Sequence, residues 1–454
     1  MGLVDMVVKG GRLATERGLL DGSVAIDDGR IVSISKTARL PKAVKVIDCR
    51  GKIVLPGVID AHVHILGLGW LRETFRSGTR AAALGGVTTV LDMPSEGTYA
   101  STSVRGFEKK RVLAQKEAYV NFGLYGGEIE KLRHVRSIAS LAARGAVGFK
   151  MITGGPGYVA ENVLFEAFRH IESADSLAVV HAENQELINR YARLAREKGR
   201  ADPAAFSEFR PSIVEEEAIR RVTLFASLCG NRLHLAHLTS KAGVEVVRRA
   251  KTAGVRVSAE TCPHYLLLSA KDYRKYRHLM VVTPPIKTKE DSKALWRGLN
   301  DRTIDLIASD HCAYYRKDKD RGAKSVWATP PGIAGLETMM PLLLSEGVNK
   351  SRISLLRLAQ LTSETPAKIS GFYPRKGTIR QGSDADLTIV DMKVRSKIDS
   401  ESFECVSDFS PFDGWKIKGA PVLTIVGGHV VADAGQVVGS EGIGCFTRPD
   451  GRLS

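Results

Sequence analysis

Residues 53–64 read IVLPGVIDAHVH, an apolar run that closes on a histidine–X–histidine pair. Successive side chains of a strand point to opposite faces, so His62 and His64 point the same way and can bind one ion together. Two histidines packed inside a buried strand are the alternative interpretation. The run predicts a buried strand whose carboxyl end carries metal-binding side chains, with the main domain starting at residue 56.

Outward from this run, short apolar strands alternate with helical stretches from residue 56 to residue 370. Alternation over that length fits eight strand–helix units, with a doubly wound open sheet as the alternative topology. A closed barrel gathers polar side chains from many strand ends more easily than an open sheet. We therefore predict a (β/α)₈ TIM-type barrel whose strand ends also present Lys150, His181, His237 and Asp310.

The two ends of the chain differ in character from the middle. Residues 1–55 and 371–454 contain short strand-like runs, with Gly-Gly and Asp-Gly pairs that are typical of hairpins. Each end is too short to bury a good core alone. We expect both ends to combine into one small β-sandwich domain beside the barrel of residues 56–370, in an α/β protein.

Composition excludes several classes of protein. The net charge of the 454 residues is +16, but Lys and Arg are spread along the chain and only 6% of residues are aromatic, so no nucleic-acid partner is expected. The charge indicates a solvated basic surface or a mild attraction for anionic substrates. The chain has no long apolar run and no secretory leader, which favours a cytoplasmic protein without a membrane partner. The six scattered cysteines, with no CxxC pair, are interpreted as buried small residues rather than metal ligands.

Several motifs at the strand ends are shared with a known family. They are PGVID (56–60), GGVTT (85–89), GFK (148–150), HLTS (237–240), ETCPHY (260–265), SDHC (309–312) and KGTIRQGSDADL (376–387). With them, the chain resembles the amidohydrolase superfamily over nearly its whole length, in the branch of hydantoinases, dihydropyrimidinases, allantoinases and dihydroorotases.

The resemblance implies a binuclear metal centre that hydrolyses a cyclic amide or ureide ring. Six side chains would bind two divalent ions, with zinc as the expected metal: His62, His64 and Asp310 for the more buried ion, His181 and His237 for the second, and Lys150 as the bridge. Lys150 would be modified by carbon dioxide to a carbamate, because an unmodified ammonium has no lone pair to offer a metal.

The resemblance also implies a mechanism and partners. A water shared by two divalent ions loses a proton near neutral pH, and the resulting hydroxide would attack the ring carbonyl. Asp310 would take the proton and pass it to the leaving ring nitrogen, as general base and then general acid. The expected partners are a small-molecule cyclic amide and further copies of the chain, since relatives form dimers or tetramers.

Two histidines compete for one of these ligand positions. His234 lies three residues before His237, and this odd spacing points the two side chains to opposite sides of a strand. We expect His237 to be the ligand, and we interpret His234 as core packing.

The ring is less clearly specified than the metal centre. Dihydroorotases of this branch usually have an arginine soon after the histidine pair and an asparagine where this chain has Ser95. Neither is present here, although Arg72 and Arg76 follow as replacements. Hydantoinases and dihydropyrimidinases place an oxyanion-stabilising tyrosine five residues after the bridging lysine, where this chain has Gly155. Tyr158 would be its substitute, and an exposed loop tyrosine is the alternative.

Further substrate contacts are expected at Thr283, which matches a substrate-binding serine of relatives, at the backbone near Ala334, and at His264, for which a structural role is the alternative. The charged segment 314–322 indicates a solvated, mobile cover at the barrel mouth. We predict hydrolysis of the hydantoinase, allantoinase or dihydropyrimidinase type. Dihydroorotase is the alternative activity, and a catalytically inactive dihydropyrimidinase-like scaffold protein is the alternative of another class.

Overall fold

The computed structural model describes residues 2–36, 40–66, 73–94 and 97–450. The chain opens with five strands, of which β1 pairs antiparallel with β2 and parallel with both β4 and β5. They are β1 (Val4–Thr15), β2 (Gly18–Asp27), β3 (Arg30–Ser35), β4 (Ala43–Asp48) and β5 (Ile53–Pro56).

Nine strand segments follow, and every neighbouring pair among them is parallel. They are β6 (Val58–Val63), β7 (Val87–Asp92), β8 (Asn121–Leu124), β9 (Gly126–Gly127), β10 (Phe149–Ile152), β11 (Leu177–His181), β12 (Arg232–Leu235), β13 (Val257–Thr261) and β14 (Leu306–Ile307).

These segments close into a barrel of eight strands. Only Tyr125 separates β8 from β9, and the two together pair with β7 on one side and β10 on the other, so they count as one strand. Closure occurs beyond β14, where His311 bridges Val63 in parallel and its carbonyl accepts a hydrogen bond from the backbone N–H of His64 at 2.8 Å. The carboxyl ends of all eight strands therefore face one mouth.

Helices surround the barrel, and several begin at a capping side chain directly after a strand. Asn184 caps α6 after β11, and Ser240 caps α9 after β12, which fixes how the chain leaves each strand end. The helices are α1 (Phe75–Leu84), α2 (Val104–Glu117), α3 (Leu132–Val135), α4 (Ile138–Ala143), α5 (Glu161–Ser173), α6 (Gln185–Glu197), α7 (Ala205–Glu208), α8 (Ser212–Cys229), α9 (Lys241–Thr252), α10 (Pro263–Leu267), α11 (Tyr273–Tyr276), α12 (Lys289–Asn300), α13 (Arg316–Lys319), α14 (Met339–Leu342), α15 (Leu355–Ala359) and α16 (Thr365–Ile369).

The last four strands return to the sheet of the first five. They are β15 (Leu387–Lys397), β16 (Lys416–Val426), β17 (His429–Asp433) and β18 (Gln436–Val437). β15 pairs antiparallel with β5, so both chain ends share one nine-stranded sheet. Beyond β18 the chain goes back to the barrel, where Phe446 packs against Phe107 and Phe122.

Three apolar layers hold this arrangement together. One lies within the terminal sheet around Val24 and Leu387, one fills the barrel interior around Leu91 and Val179, and the largest lies between the strands and their helices. Among the described residues, no helix is both long enough and apolar enough to cross a bilayer.

Candidate metal centre

The first half of the candidate site joins the two strands at which the barrel closes. His62 Nε2 lies 3.3 Å from His64 Nε2, and these two nitrogens lie 3.4 Å and 3.5 Å from Asp310 Oδ1. One ligand atom from each of the three residues lies within 4.8 Å of the others, which is a geometry that can hold a metal ion. The predicted pair on β6 and the predicted aspartate after β14 are thus brought together.

The second half lies at the carboxyl ends of β11 and β12, two strands that pair with each other. His181 ends β11 and presents Nδ1 to His237 Nε2 at 3.0 Å. The two halves are adjacent, because the rings of His62 and His237 are 5.3 Å apart between centroids. Four imidazoles and one carboxylate from four strand ends therefore meet in one place.

Lys150, the second residue of β10, completes the cluster. Its side chain is buried, lines the same cavity as His64, His181 and His237, and interacts electrostatically with Asp310. Burial lowers the pKa of this lysine. A lowered pKa increases the fraction of free amine, which is the form that reacts with carbon dioxide.

Two of the candidate ligands have unusual backbone geometry. His237 and Asp310 both follow a strand end with positive φ angles, 36° and 49°. Non-glycine residues in this region are uncommon, and such strain is concentrated at functional sites. For His237 the geometry also matters for side-chain direction, since a residue past the strand end no longer follows the alternation of the strand.

The electrostatics of the cluster suit a cation. Burial lowers the pKa values of His62, His181 and His237, which favours the neutral imidazole, the form that keeps a lone pair for a metal. Burial alone would raise the pKa of Asp310, but His62 and His64 hold it below its usual range. Neutral imidazoles beside an ionised carboxylate are the ligands that divalent zinc prefers.

Glu260 on β13 is a residue of the site that the sequence reasoning did not assign. Its carboxylate binds His62 Nδ1 at 2.5 Å and His234 Nε2 at 3.0 Å, and it accepts the backbone N–H of His237 at 3.2 Å. Such a partner fixes the tautomer and orientation of a metal-binding histidine. His234 remains outside the ligand cluster but is more than core packing, because it holds Glu260. A buried acid in the quoted motif 260–265 was the available signal.

Glu183 plays the same part on the other side of the cluster. It binds His181 Nε2 at 2.9 Å and is itself paired with Arg210, with all three side chains buried. This leaves Nδ1 of His181 to face His237. The position two residues after His181 was visible in the sequence, but the role of Glu183 depends on Arg210, which comes from the loop before α8.

A cavity of about 450 Å³ opens over the cluster at the barrel mouth. Lys150, His181, His237 and Asp310 lie on its floor, and the glycine-rich segment 154–157 forms part of its wall. An added side-chain carbon at Gly155, where the hydantoinase tyrosine would stand, meets no atom within 4 Å. The space directly beside Gly155 is therefore open.

The predicted substrate contacts are distributed unevenly. Thr283 lines the cavity, whereas Ala334 is buried close by and is not part of the lining. His264 is buried beside Asp310 and Cys262, and burial lowers its pKa to about 4. Tyr158 is half exposed and does not contribute to the cavity wall.

Of the two arginines weighed for a substrate carboxylate, Arg76 is described and does not line the cavity. Arg76 is exposed and pairs with Glu441 at 2.9 Å. Arg72 and Ser95 lie outside the described residues. Cys262 is buried close to His264 and Asp310 in a group that could also hold a metal ion, and burial raises the pKa of its thiol well above the usual value.

An eight-stranded parallel barrel with buried imidazoles and a carboxylate at the carboxyl ends of its strands defines a barrel metallohydrolase. Comparison with known proteins gives the particular family. The model of the amidohydrolase family matches residues 53–431. The chain belongs to this family, whose members depend on metal.

Two relatives and one solved structure extend the match over the whole chain. An L-hydantoinase of Paenarthrobacter aurescens is 38% identical over 451 residues, covering 98% of each chain. An allantoinase of Rubrobacter xylanophilus is 34% identical, covering 99% of this chain and 98% of the relative. The solved L-hydantoinase (dihydropyrimidinase) from Arthrobacter aurescens is 38% identical and has a TM-score of 0.94, covering 98% of this chain and 100% of that one.

These matches confirm the predicted fold class and the predicted resemblance. The chain is an enzyme, a metal-dependent hydrolase of cyclic amides.

Proposed function

We propose that this enzyme opens a hydantoin-type ring, a five-membered cyclic ureide, at a centre of two divalent ions. The observation that carries the proposal is the meeting of four buried or half-buried imidazoles, one carboxylate and a buried lysine below a single cavity. The likeness to an L-hydantoinase over nearly the full length of both chains supports the choice of ring.

The ligand assignment follows the two halves of the cluster. Two ions, zinc by expectation, would be held by six side chains: His62, His64 and Asp310 for one ion, His181 and His237 for the other, and Lys150 as a carbamate between them. When bound, such ions polarise the ring carbonyl and acidify the attacking water. Glu260 and Glu183 support this assignment, because each binds the far nitrogen of a proposed ligand.

Asp310 is the proposed proton carrier. Its pKa is held below the usual range, so it is ionised at neutral pH and can accept the proton of the attacking water. The same carboxyl group can then return the proton to the ring nitrogen as that bond breaks. Its place in the cavity floor, set by the left-handed backbone, supports this role.

The charge of the cavity wall argues for a neutral ring rather than dihydroorotate. Glu128 and Glu130 line the cavity, and both carboxylates lie close to Gly157: an added side-chain carbon there would be 2.9 Å from Glu130 Oε1 and 3.2 Å from Glu128 Oε2. A ring that carries a carboxylate would meet the like charge of Glu130 on this wall. Thr283 and the backbone near Ala334 would bind the polar imide edge of a neutral ring, and His264 and Tyr158 remain proposed contacts.

A substrate panel tests the proposal. Hydantoin, dihydrouracil, allantoin and dihydroorotate would be assayed with zinc, manganese and cobalt, and hydantoin is expected to give the highest kcat/KM. Metal analysis of the purified enzyme should find about two equivalents per chain. Preferential turnover of dihydroorotate would overturn the choice of ring. A stable, metal-free protein without turnover would overturn the binuclear centre. Light scattering would test the dimer or tetramer that the resemblance implies.

A further inference from the structure

The charged segment 314–322 is solvated only in part: four of its six charged side chains are exposed. Three of its side chains, Tyr314, Asp318 and Lys319, are buried, and Lys319 is completely so. The reason is local: α13 points Lys319 inward, where its ammonium donates hydrogen bonds to three backbone carbonyls, those of Val281 at 2.7 Å, Pro330 at 2.9 Å and Gly332 at 2.9 Å.

These carbonyls belong to two segments that form one wall of the substrate cavity. Val282 and Thr283 follow the first carbonyl, and Pro331 lies between the other two; all three of these residues line the cavity, as does Gly332 itself. The segments also bind each other directly, since the backbone N–H of Gly332 donates to the carbonyl of Val281 at 3.0 Å. Lys319 therefore lies behind the wall and ties its two parts together.

The wall has little room to move around this lysine. Gly332 has a φ of 149°, and an added side-chain carbon there would lie 2.7 Å from the Tyr314 ring and 2.8 Å from Cys312. Only glycine allows this close approach. The rings of Tyr314 and Phe409 each lie 5.9 Å from the ammonium of Lys319, which closes its pocket on the remaining sides.

Burial of this charge is costly unless the ammonium is paired or hydrogen-bonded. No carboxylate in the described part of the chain pairs with the Lys319 ammonium, so an ion pair is not the reason for its place. Burial lowers the pKa of Lys319 to about 7, whereas three carbonyl acceptors favour the ammonium, whose three N–H groups match them one to one. An apolar side chain would fill the same space without desolvating a charge.

We propose that Lys319 is a positioning residue that fixes the two wall segments so that Thr283 and the backbone near Ala334 meet the substrate ring. The inference rests on the proposed function for the identity of the ring, but the ordering of the wall does not depend on any substrate. Loss of the three hydrogen bonds should therefore loosen segments 281–286 and 330–335 and weaken substrate binding, while the metal-binding cluster stays intact.

The variant Lys319→Met keeps the length and apolar volume of the side chain and removes the donors. We expect kcat/KM to fall by roughly 10- to 100-fold, mainly through a higher KM, because misplaced binding groups lose the oriented ring. The matched control is Lys376→Met, another buried lysine, which pairs with Asp384 and Asp386 away from the cavity. The control should leave the KM of the folded enzyme unchanged. An unchanged KM in Lys319→Met, or an equal rise in the control, would overturn the proposal.

Two further measurements keep the test independent of activity and of folding yield. Hydrogen exchange on the holoenzyme should be faster in Lys319→Met than in the wild type at segments 281–286 and 330–335, even if no ring of the panel is hydrolysed. In Lys319→Ala, added propylammonium should slow that exchange again and lower KM, whereas propanol should not. Equal exchange in wild type and variant, or equal rescue by propanol, would show a purely structural residue.

Discussion

Two buried lysines at opposite ends of the barrel have different partners, and their pKa values shift in opposite directions. Lys376, at the amino ends of the strands, contacts Asp384 at 2.9 Å and Asp386 at 2.5 Å; burial alone would lower its pKa, but these two carboxylates raise it above its usual value. Lys150, at the carboxyl ends, lies among imidazoles, forms no ion pair with the described residues, and has a lowered pKa.

The difference teaches how to separate a structural charge from a functional one. A buried lysine between carboxylates holds the barrel to the terminal sheet, because Asp386 also accepts hydrogen bonds from Asn121 of β8 and from the backbone of Gly427. Among the described residues, Lys150 has neither ion-pair partners nor carbonyl acceptors like those of Lys319, so burial outweighs the attraction of Glu260 and Asp310 and favours the free amine. Burial is common to both, so the partners decide.

The largest expected effect comes from removing the lysine without a partner. Lys150→Ala should lower kcat/KM by roughly 1000-fold or more, because the proposed bridge between the metal ions is lost. The melting temperature of the metal-free protein should fall less than in Lys376→Met, since no ion pair is broken. Short carboxylic acids such as acetate should restore part of the turnover by replacing the carbamate. Full activity of Lys150→Ala would remove the carbamate from the mechanism.

Removing the paired lysine should instead affect stability. Lys376→Met leaves two buried carboxylates uncompensated, and the free energy of unfolding should fall by about 3–5 kcal/mol in denaturant titrations. Lys368→Met is the matched control, because Lys368 is exposed, and its contacts with Glu364 and the Tyr373 ring lie at the surface. That control should change stability by less than about 0.5 kcal/mol. Equal stabilities of the two variants would contradict the structural role.

Glu260→Gln tests whether the carboxylates around the metal-binding cluster are functional. Replacing the carboxylate that orients His62 should weaken metal binding or activity by roughly 10- to 100-fold, which chelator competition and kcat measurements would detect. Glu183→Gln tests the other half of the cluster in the same way, through His181. If neither substitution changed metal retention, the two glutamates would be ordinary core acids.

The paired lysine Lys376 also predicts a pH dependence of stability. The pKa of Lys376 in the folded protein lies above its ordinary value of 10.5, so its stabilising contribution is complete below pH 10.5 and is lost as the pH rises through the folded value. The loss is about 1.4 kcal/mol for each pKa unit of difference. Unfolding of wild type and Lys376→Met should therefore converge at high pH. Parallel curves from pH 8 to high pH would contradict the pairing.

The smallest expected effect concerns Glu130, an acidic residue of the cavity wall. Glu130→Gln should shift the ratio of kcat/KM for hydantoins with anionic and with cationic side groups by about 3- to 10-fold towards the anionic ones, as expected for one partly screened charge. A hydantoin with a neutral side group serves as the internal control and should change little. An unchanged ratio would mean that substrates do not approach this wall.

Much of the fold could be predicted because it is encoded locally. The alternation of apolar strands and helices, the hairpin signals at both ends, and the side-by-side direction of His62 and His64 depend on short-range periodicity, and the fold class is confirmed. The expectation that His234 and His237 point to opposite sides of a strand also depended on short-range periodicity. It assumes a strand through residue 237, whereas β12 ends at Leu235 and His237 has a left-handed backbone.

What the sequence by itself determined was the alternation of strands and helices, the strand-like character of both chain ends and the residues that follow the strands, because periodicity and motif spacing act over a few residues. Only the tertiary structure decided which buried charges are paired. Lys376 meets Asp386 ten residues away, but Glu260 meets His62 across 198 residues, and the three carbonyls around Lys319 come from two separate segments. Partners of that kind are brought together by barrel closure and chain packing, and the pKa and the role of a buried group depend on them.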